Sequence, residues 1–184
     1  MKLLYFAGSL RKDSLNKKLL SVAKSLTEEA KLAETTQVDI KILNIPIYDG
    51  DIEKEAFPET VRKLGEMVTA ADGLVIASPE YNGSISSPLK NTIDWLSRLK
   101  PVPLEKKPVL LMGASPSNFG ASRGIVHSRA PLDKLSAYVF PENMFLPKAH
   151  EAFTDSGDLK DEKTKKRLVD LLKKYAEFVQ KLKT

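Results

Sequence analysis

Three short apolar runs constrain this chain more than any other feature: Lys2–Ala7, Gly73–Ala77 and residues 109–112. Each is bounded by Gly, Pro or Ser and is too short for a buried helix. Runs that are apolar at consecutive positions suit strands covered on both faces. Each also leads through a loop rich in small and polar residues into a segment of helical period. Strands that alternate with helices in this way pair in parallel, through right-handed crossovers.

The intervening segments complete the pattern. Ser14 caps a predicted helix over residues 15–32, with Leu15, Leu19, Val22, Ala23 and Leu26 on one stripe. Residues 38–43 alternate and read as a second strand, which Pro46 stops. Pro58 opens a helix carrying Val61, Leu64, Val68 and Ala71, and Pro88 opens another carrying Leu89, Ile93, Trp95 and Leu96. A helix over 121–135, a short strand over 138–140 and a basic C-terminal helix follow. The expected fold is therefore α/β, one domain over residues 1–184. Its five-stranded parallel sheet takes the doubly wound order 2-1-3-4-5, with helices on both faces as a three-layer sandwich.

Composition removes several functions. Cysteine is absent, so disulfides, thiolate nucleophiles and Cys-ligated metals are excluded, and a reducing cytoplasm is a compatible location. His127 and His150 are the only histidines, so a His-rich metal site is excluded, and no metal centre is expected. No apolar run approaches the roughly 20 residues that span a bilayer. The apolar N-terminal stretch stops at Ala7 and reads as a mature cytoplasmic start. The net charge of +5 invites a nucleic-acid reading, yet residues 161–184 carry eight Lys/Arg against four Asp/Glu. That segment also places Leu168, Leu171, Leu172, Tyr175, Phe178, Val179 and Leu182 at helical spacing. It reads as a core-facing helix with a solvated lysine face, so neither nucleic acid nor membrane is an expected partner.

In a sheet of this order, ligands sit beyond the carboxyl ends of the strands, where the order reverses between strands one and three. Three loops meet there. The first, Gly8-Ser9-Leu10-Arg11-Lys12-Asp13-Ser14-Leu15-Asn16, stands ahead of a helix whose unpaired N–H groups favour phosphate. Ser9 and Ser14 add hydroxyl donors, Asn16 an amide and Arg11 a charged fork. With Gly8 as its single glycine it is neither a Walker A loop nor a G-x-G-x-x-G fingerprint, which disfavours a dinucleotide-binding Rossmann domain. The second loop runs from Pro79 to Ser87. A flat polar ring needs backbone groups at its rim, Gly83 permits close approach, Asn82 tolerates left-handed dihedrals, and Tyr81 offers a wall. Glu80 and Asp94 are expected to cap helices or form salt bridges. The third loop, over 113–120, offers Ser115, Ser117 and Gly120 to a sugar chain or the polar edge of the ring.

These residues resemble the NADPH-dependent FMN reductases, a family that includes bacterial chromate and quinone reductases. The first loop is similar to that family's phosphate loop. Pro79-Glu80-Tyr81-Asn82-Gly83-Ser84, followed by Leu89-Lys90-Asn91-Thr92-Ile93-Asp94-Trp95-Leu96-Ser97-Arg98, resembles its most specific signature. Ile45-Pro46-Ile47-Tyr48-Asp49 and the third loop running into Arg123 are similar too. The resemblance implies a flavodoxin-like fold with FMN bound. Ser9, Arg11, Ser14, Leu15 and Asn16 would lie at its phosphate, and Pro79, Glu80, Tyr81, Asn82, Gly83 and Ser84 would border the isoalloxazine. Ser115, Ser117 and Gly120 would line the other edge.

It further implies NADPH or NADH as donor and ping-pong transfer to quinones, flavins, azo or nitro compounds, or metal oxyanions. Flavin N5 carries the hydride, and no protein group is expected to be catalytic. The family forms homodimers or homotetramers, and Arg123 and Glu142 fall where such assemblies place polar contacts, or else form a surface pair. Three departures bear on the ring's surroundings: Ser86-Ser87-Pro88 where Pro-Gly is common, Ala121-Ser122 after Gly120, and Asp13, which must face away from a dianion. The alternative is a non-catalytic flavodoxin-type electron carrier, which usually presents an acidic surface. Phosphatases of similar topology need a loop cysteine, and receiver domains need an acidic cluster where this chain has Ala7-Gly8-Ser9.

Overall fold

The computed structural model describes residues 1–183. Strand β1 (Lys2–Ala7) leads to helix α1 (Leu15–Glu29), strand β2 (Glu34–Val38), the short helices α2 (Ile40–Leu43) and α3 (Gly50–Glu55), and helix α4 (Glu59–Ala70). Strand β3 (Gly73–Ala77), the pair β4 (Glu80–Tyr81) and β5 (Ser84–Ile85), and helix α5 (Ser87–Leu96) follow. The chain closes with β6 (Pro108–Ala114), α6 (Ser122–Lys134), β7 (Tyr138–Val139), β8 (Met144–Leu146) and α7 (Glu162–Leu182).

The main sheet runs β2-β1-β3-β6-β7, with β8 also paired to β6, and every pairing in it is parallel. Counting β7 and β8 as one interrupted outer strand, this is the doubly wound order expected, and β4–β5 is a separate antiparallel pair. Side-chain alternation divides the core. Leu3, Tyr5, Ala7, Val75, Ala77, Leu110 and Met112 face Leu19, Ala23 and Leu26 of α1 and Leu168, Leu172 and Val179 of α7. Leu4, Phe6, Leu74, Ile76, Val109 and Leu111 face Leu64 of α4, Leu89 and Ile93 of α5, and Ile125 and Leu132 of α6. Both sheet faces are thus covered, which explains why these strands read as continuous apolar runs.

Helix α7 docks through Leu168, Leu171, Leu172, Tyr175 and Val179, so its lysines form a solvated face as expected, although Leu182 is exposed. The buried Tyr175 hydroxyl shares its one proton between Leu74 O (2.8 Å) and Pro108 O (2.9 Å), pinning the helix across two strands. Burial is the main reason that its phenol is held well above the ordinary tyrosine range. Among the described residues no helix is long and apolar enough to cross a membrane.

Four boundaries differ from expectation. The second strand is Glu34–Val38, whereas residues 40–43 are a helical turn whose N-cap, Asp39, accepts from Lys41 N at 2.9 Å. As an edge strand, β2 leaves its side chains half-exposed or exposed and lacks the apolar signature of the inner strands. Helix α1 stops at Glu29 rather than 32, because Lys31 turns left-handed and Lys31 N and Leu32 N return to Glu28 O and Thr27 O. Gly113 and Ala114 belong to β6 and not to the third loop. The outer strand is split: β7 pairs with the start of β6 and β8 with its end. Pro141, which has no N–H for a ladder, stands in the gap, and Arg129 donates there to Phe140 O and Pro141 O.

Candidate functional site

Strands β1, β3 and β6 end in Ala7, Ala77 and Ala114 on one edge of the sheet, so their loops leave side by side. Three sets of bonds join those loops. Ser86 Oγ donates to Gly8 O at 2.7 Å and lies 2.9 Å from Ser78 Oγ, tying the second loop to the first while it caps α5. A Cβ at position 8 would stand 2.6 Å from Ser78 Oγ and 2.9 Å from Leu89 Cβ, so the approach requires glycine. Asn16 Nδ2 donates to Ala114 O, and Asn16 Oδ1 accepts from Ala114 N, both at 2.9 Å, tying α1 to the end of β6.

The third set is centred on Glu80. Its carboxylate accepts from Arg123 N (3.0 Å), Gly124 N (3.2 Å) and Arg123 Nε (2.8 Å). Helix α6 starts from the left-handed Ala121, with no cap from its own side chain, so Glu80 supplies the cap from the second loop. Burial pushes the Glu80 pKa up, but the hydrogen bonds and charge of Arg123 and the Gly124 amide outweigh it and hold the group below the usual carboxylate range. Glu80 therefore caps and pairs, and Asp94 pairs with Lys90 at 2.6 Å.

In the first loop Ser9 (1% exposed) and Ser14 are buried, and Leu10, Arg11, Lys12 and Asp13 are exposed. Ser9 Oγ accepts from Arg11 N and Ser14 Oγ from Lys17 N, both at 3.4 Å, which leaves each hydroxyl proton to donate. Among the described residues the N–H groups of Leu10, Lys12, Asp13, Ser14, Leu15 and Asn16 have no acceptor, and the Arg11 guanidinium has no partner. The Asn16 side chain, 2% exposed, is committed at both ends to Ala114, which leaves its backbone N–H as the group that faces the loop.

The second loop is a hairpin. Glu80↔Ile85 and Tyr81↔Ser84 pair across Asn82 and Gly83, whose φ angles of 50° and 75° are those of a type I′ turn. The hairpin packs on α6 at Gly124, where a Cβ would lie 2.8 Å from Glu80 Cα and 2.9 Å from Ser84 O. His127 Nδ1 reaches Ser84 Oγ at 3.1 Å, and Tyr81 stands 38% exposed. In the third loop Ser115 Oγ donates to Ser117 Oγ (3.0 Å) and accepts from Ser117 N (3.1 Å), and Gly120 turns left-handed against Leu146 and Pro147.

Asn91 and Trp95 of α5 hold a further loop, which their spacing alone does not show. Asn91 Nδ2 (2.8 Å) and Trp95 Nε1 (2.7 Å) both donate to Pro46 O, and Asn91 Oδ1 accepts from Tyr48 N at 2.7 Å. These bonds fix the loop after α2, and the Tyr48 ring meets Trp95 edge-on at 5.0 Å. Arg123 and Glu142 do not pair with each other. Arg123 joins Glu80 at 2.6 Å and lies 4.9 Å over the Phe119 ring, and Glu142 joins Lys174 at 2.9 Å.

The family model described as NADPH-dependent FMN reductase matches residues 1–151. A quinone reductase of Escherichia coli (strain K12) is 39% identical over 179 residues, covering 96% of this chain and 94% of that protein. An NAD(P)H-dependent FMN reductase of Pseudomonas aeruginosa is 35% identical, covering 100% of this chain and 97% of that one. Among solved structures, the flavoenzyme NAD(P)H:(acceptor) oxidoreductase FerB from Paracoccus denitrificans superposes with a TM-score of 0.85 at 30% identity, covering 98% and 97% of the two chains.

Proposed function

Since this chain belongs to the family of NADPH-dependent FMN reductases, we propose that its three joined loops hold FMN, with the phosphate on the first and the ring between the second and third. The activity is NAD(P)H-dependent reduction of small acceptors such as quinones, through FMN. When bound, FMN supplies the two-electron chemistry that links nicotinamide oxidation to acceptor reduction.

The observation that carries the placement is the set of N–H groups of Leu10, Lys12, Asp13, Ser14, Leu15 and Asn16, without acceptors among the described residues and interspersed with the two buried hydroxyls of Ser9 and Ser14. A phosphate there would satisfy Ser9, Ser14, Leu15 N and the Arg11 fork, each charge-assisted bond contributing about 1.5–3 kcal/mol. The Asn16 side chain holds the loops, and its backbone N–H is the group it offers to the phosphate. Pro79, Glu80, Tyr81, Asn82, Gly83 and Ser84 present backbone and a ring wall to the isoalloxazine, and Ser115, Ser117 and Gly120 border the other edge. The ionised Glu80, engaged by α6, is no proton donor to an acceptor. One open face serves donor and acceptor in turn, which makes the kinetics ping-pong. A homo-oligomer in the cytoplasm completes the reading, supported by the exposed Ile47 on its pinned loop and by the absence of cysteine.

Flavin fluorescence quenching tests the placement by comparing FMN with riboflavin, which lacks the phosphate. The parent protein should favour FMN, and Arg11→Ala should erode that preference by about tenfold. Equal affinity of the parent for the two flavins would remove the phosphate from the first loop.

A further inference from the structure

Beyond the third loop lies a second concave surface. Leu146, Pro147, Ala152 and Leu159 line a cleft of about 330 Å³ at the carboxyl end of β8, rimmed by Lys148, Lys160 and Arg167. It adjoins the candidate site directly. Ser115 N donates to Leu146 O (3.1 Å), Lys148 N to Ser117 O (3.1 Å) and Ala149 N to Ser115 O (3.0 Å), so the third loop and the rim are one hydrogen-bonded unit.

The charges around the cleft are unevenly committed. Asp161 caps α7 through Thr164 N (2.9 Å) and Thr164 Oγ1 (2.6 Å), and Glu151 pairs with His150 at 3.0 Å. Arg167 Nη2 donates to Phe145 O at 2.9 Å. The ammonium groups of Lys148 and Lys160 have no partner among the described residues. The result is an apolar floor whose rim carries three cations, Lys148, Lys160 and Arg167, against the two carboxylates Glu151 and Asp161, with the two lysine ammonium groups left unengaged.

A nicotinamide placed over the flavin must send the rest of its dinucleotide out across one of the loops. Across the first loop it would meet the phosphate dianion of the cofactor. The larger cleft beside that loop, about 520 Å³, carries Lys12, Lys17, Lys18 and Lys165 against Asp13, Glu29 and Asp158, with Lys17 and Lys165 paired to Asp39 and Asp158, but it borders the loop that would hold the dianion. Across the third loop the tail reaches Lys148 and Lys160. We propose that the cleft behind the third loop takes the 2′-phosphoadenosine end of NADPH and so sets a preference for NADPH over NADH. The adenine rests on Leu146, Pro147, Ala152 and Leu159, and the 2′-phosphate lies between the two ammonium groups. This inference rests on the flavin reading above and assigns to its donor a binding surface that the three loops do not contain.

The test uses the FMN-loaded protein and two fragments, 2′,5′-ADP and 5′-AMP, with calorimetry as a readout independent of turnover. The parent should bind 2′,5′-ADP about tenfold more tightly than 5′-AMP, as expected for charge-assisted contacts to one extra phosphate. Lys148→Gln combined with Lys160→Gln should abolish that difference and raise KM for NADPH by a similar factor. The kcat, KM for NADH, FMN affinity and melting temperature should stay put. Equal binding of the two fragments by the parent, or an unchanged KM for NADPH in the double variant, would overturn the inference. Competition by inorganic phosphate as strong as that by 2′,5′-ADP would overturn it as well, by showing an anion site blind to adenosine. Failure of the parent to bind FMN or oxidise either nicotinamide would instead sink the underlying reading.

Discussion

Substitutions at Asn16 separate a side chain that holds loops from one that touches ligand. Its carboxamide accepts from Ala114 N and donates to Ala114 O, each at 2.9 Å, between positions 98 residues apart and out of contact with water. Asn16→Ala leaves a buried N–H and a buried C=O unpaired, at about 1–3 kcal/mol each. The cofactor-free protein should therefore lose about 2–6 kcal/mol, a large part of a typical total of about 5–15 kcal/mol. Asn16→Asp carries a sharper signature. The new carboxylate can still accept from Ala114 N, but its second oxygen faces a carbonyl oxygen and can bond only when protonated. The folded state thus raises its pKa above the unfolded value of about 3.9. Below that value both states are protonated and the substitution is mild; as pH rises through the raised folded pKa the penalty grows to its full size. Urea unfolding without flavin, at pH 4, 6 and 8, should show Asn16→Asp falling progressively behind the parent. If Asn16→Ala unfolds with the parent and only its FMN affinity falls, Asn16 is a ligand contact and the holding role is wrong.

Two further substitutions probe the hairpin. The lowered pKa of Glu80 means that its carboxylate stabilises the fold above the unfolded value of about 4.3 and loses that contribution as pH falls through the folded value. Glu80→Gln should therefore cost about 1 kcal/mol at pH 7, the scale of a lost helix cap, and almost nothing at pH 3, as read by urea midpoints. Gly124→Ala should gain about 1 kcal/mol of helix propensity and lose about 1–3 kcal/mol to overpacking, because its Cβ would sit 2.8 Å from Glu80 Cα. FMN affinity should drop severalfold as the hairpin is displaced; a variant that melts higher and binds FMN as the parent does would show that hairpin and helix are independent.

The inner strands were legible because they are buried on both faces, so Leu3–Ala7 and Leu74–Ala77 carry apolar residues without interruption. Strand β2 lies several residues before the expected one because an edge strand written Glu-Thr-Thr-Gln-Val carries one apolar residue and announces itself only through its β-branched threonines and valine. The hairpin carries its own signal: Asn82-Gly83 is a dipeptide that a type I′ turn favours. The three candidate loops could be named from composition and topology, but not what joins them. Ser86 is bonded to Gly8 across 78 residues, Asn16 to Ala114 across 98, and Trp95 to Pro46 across 49. Local spacing carries no trace of such pairs. An amide at the first turn of a helix is by its type an anion donor, and only the burial of the Asn16 side chain shows that it also holds two loops together.

The three sets of bonds form a closed circuit: first loop to second through Ser86, second loop to α6 through Glu80, and α6 back through β6 and Ala114 to α1 through Asn16. A closed linkage of this kind freezes its members while the polypeptide folds, so the conformational entropy is surrendered before any ligand arrives. On the proposed placement, an incoming flavin would meet a receptor with few rotors left to arrest, and its affinity would reflect contact rather than reorganisation. Under that reading, the same circuit would let one rim accommodate two successive guests without reshaping itself between them.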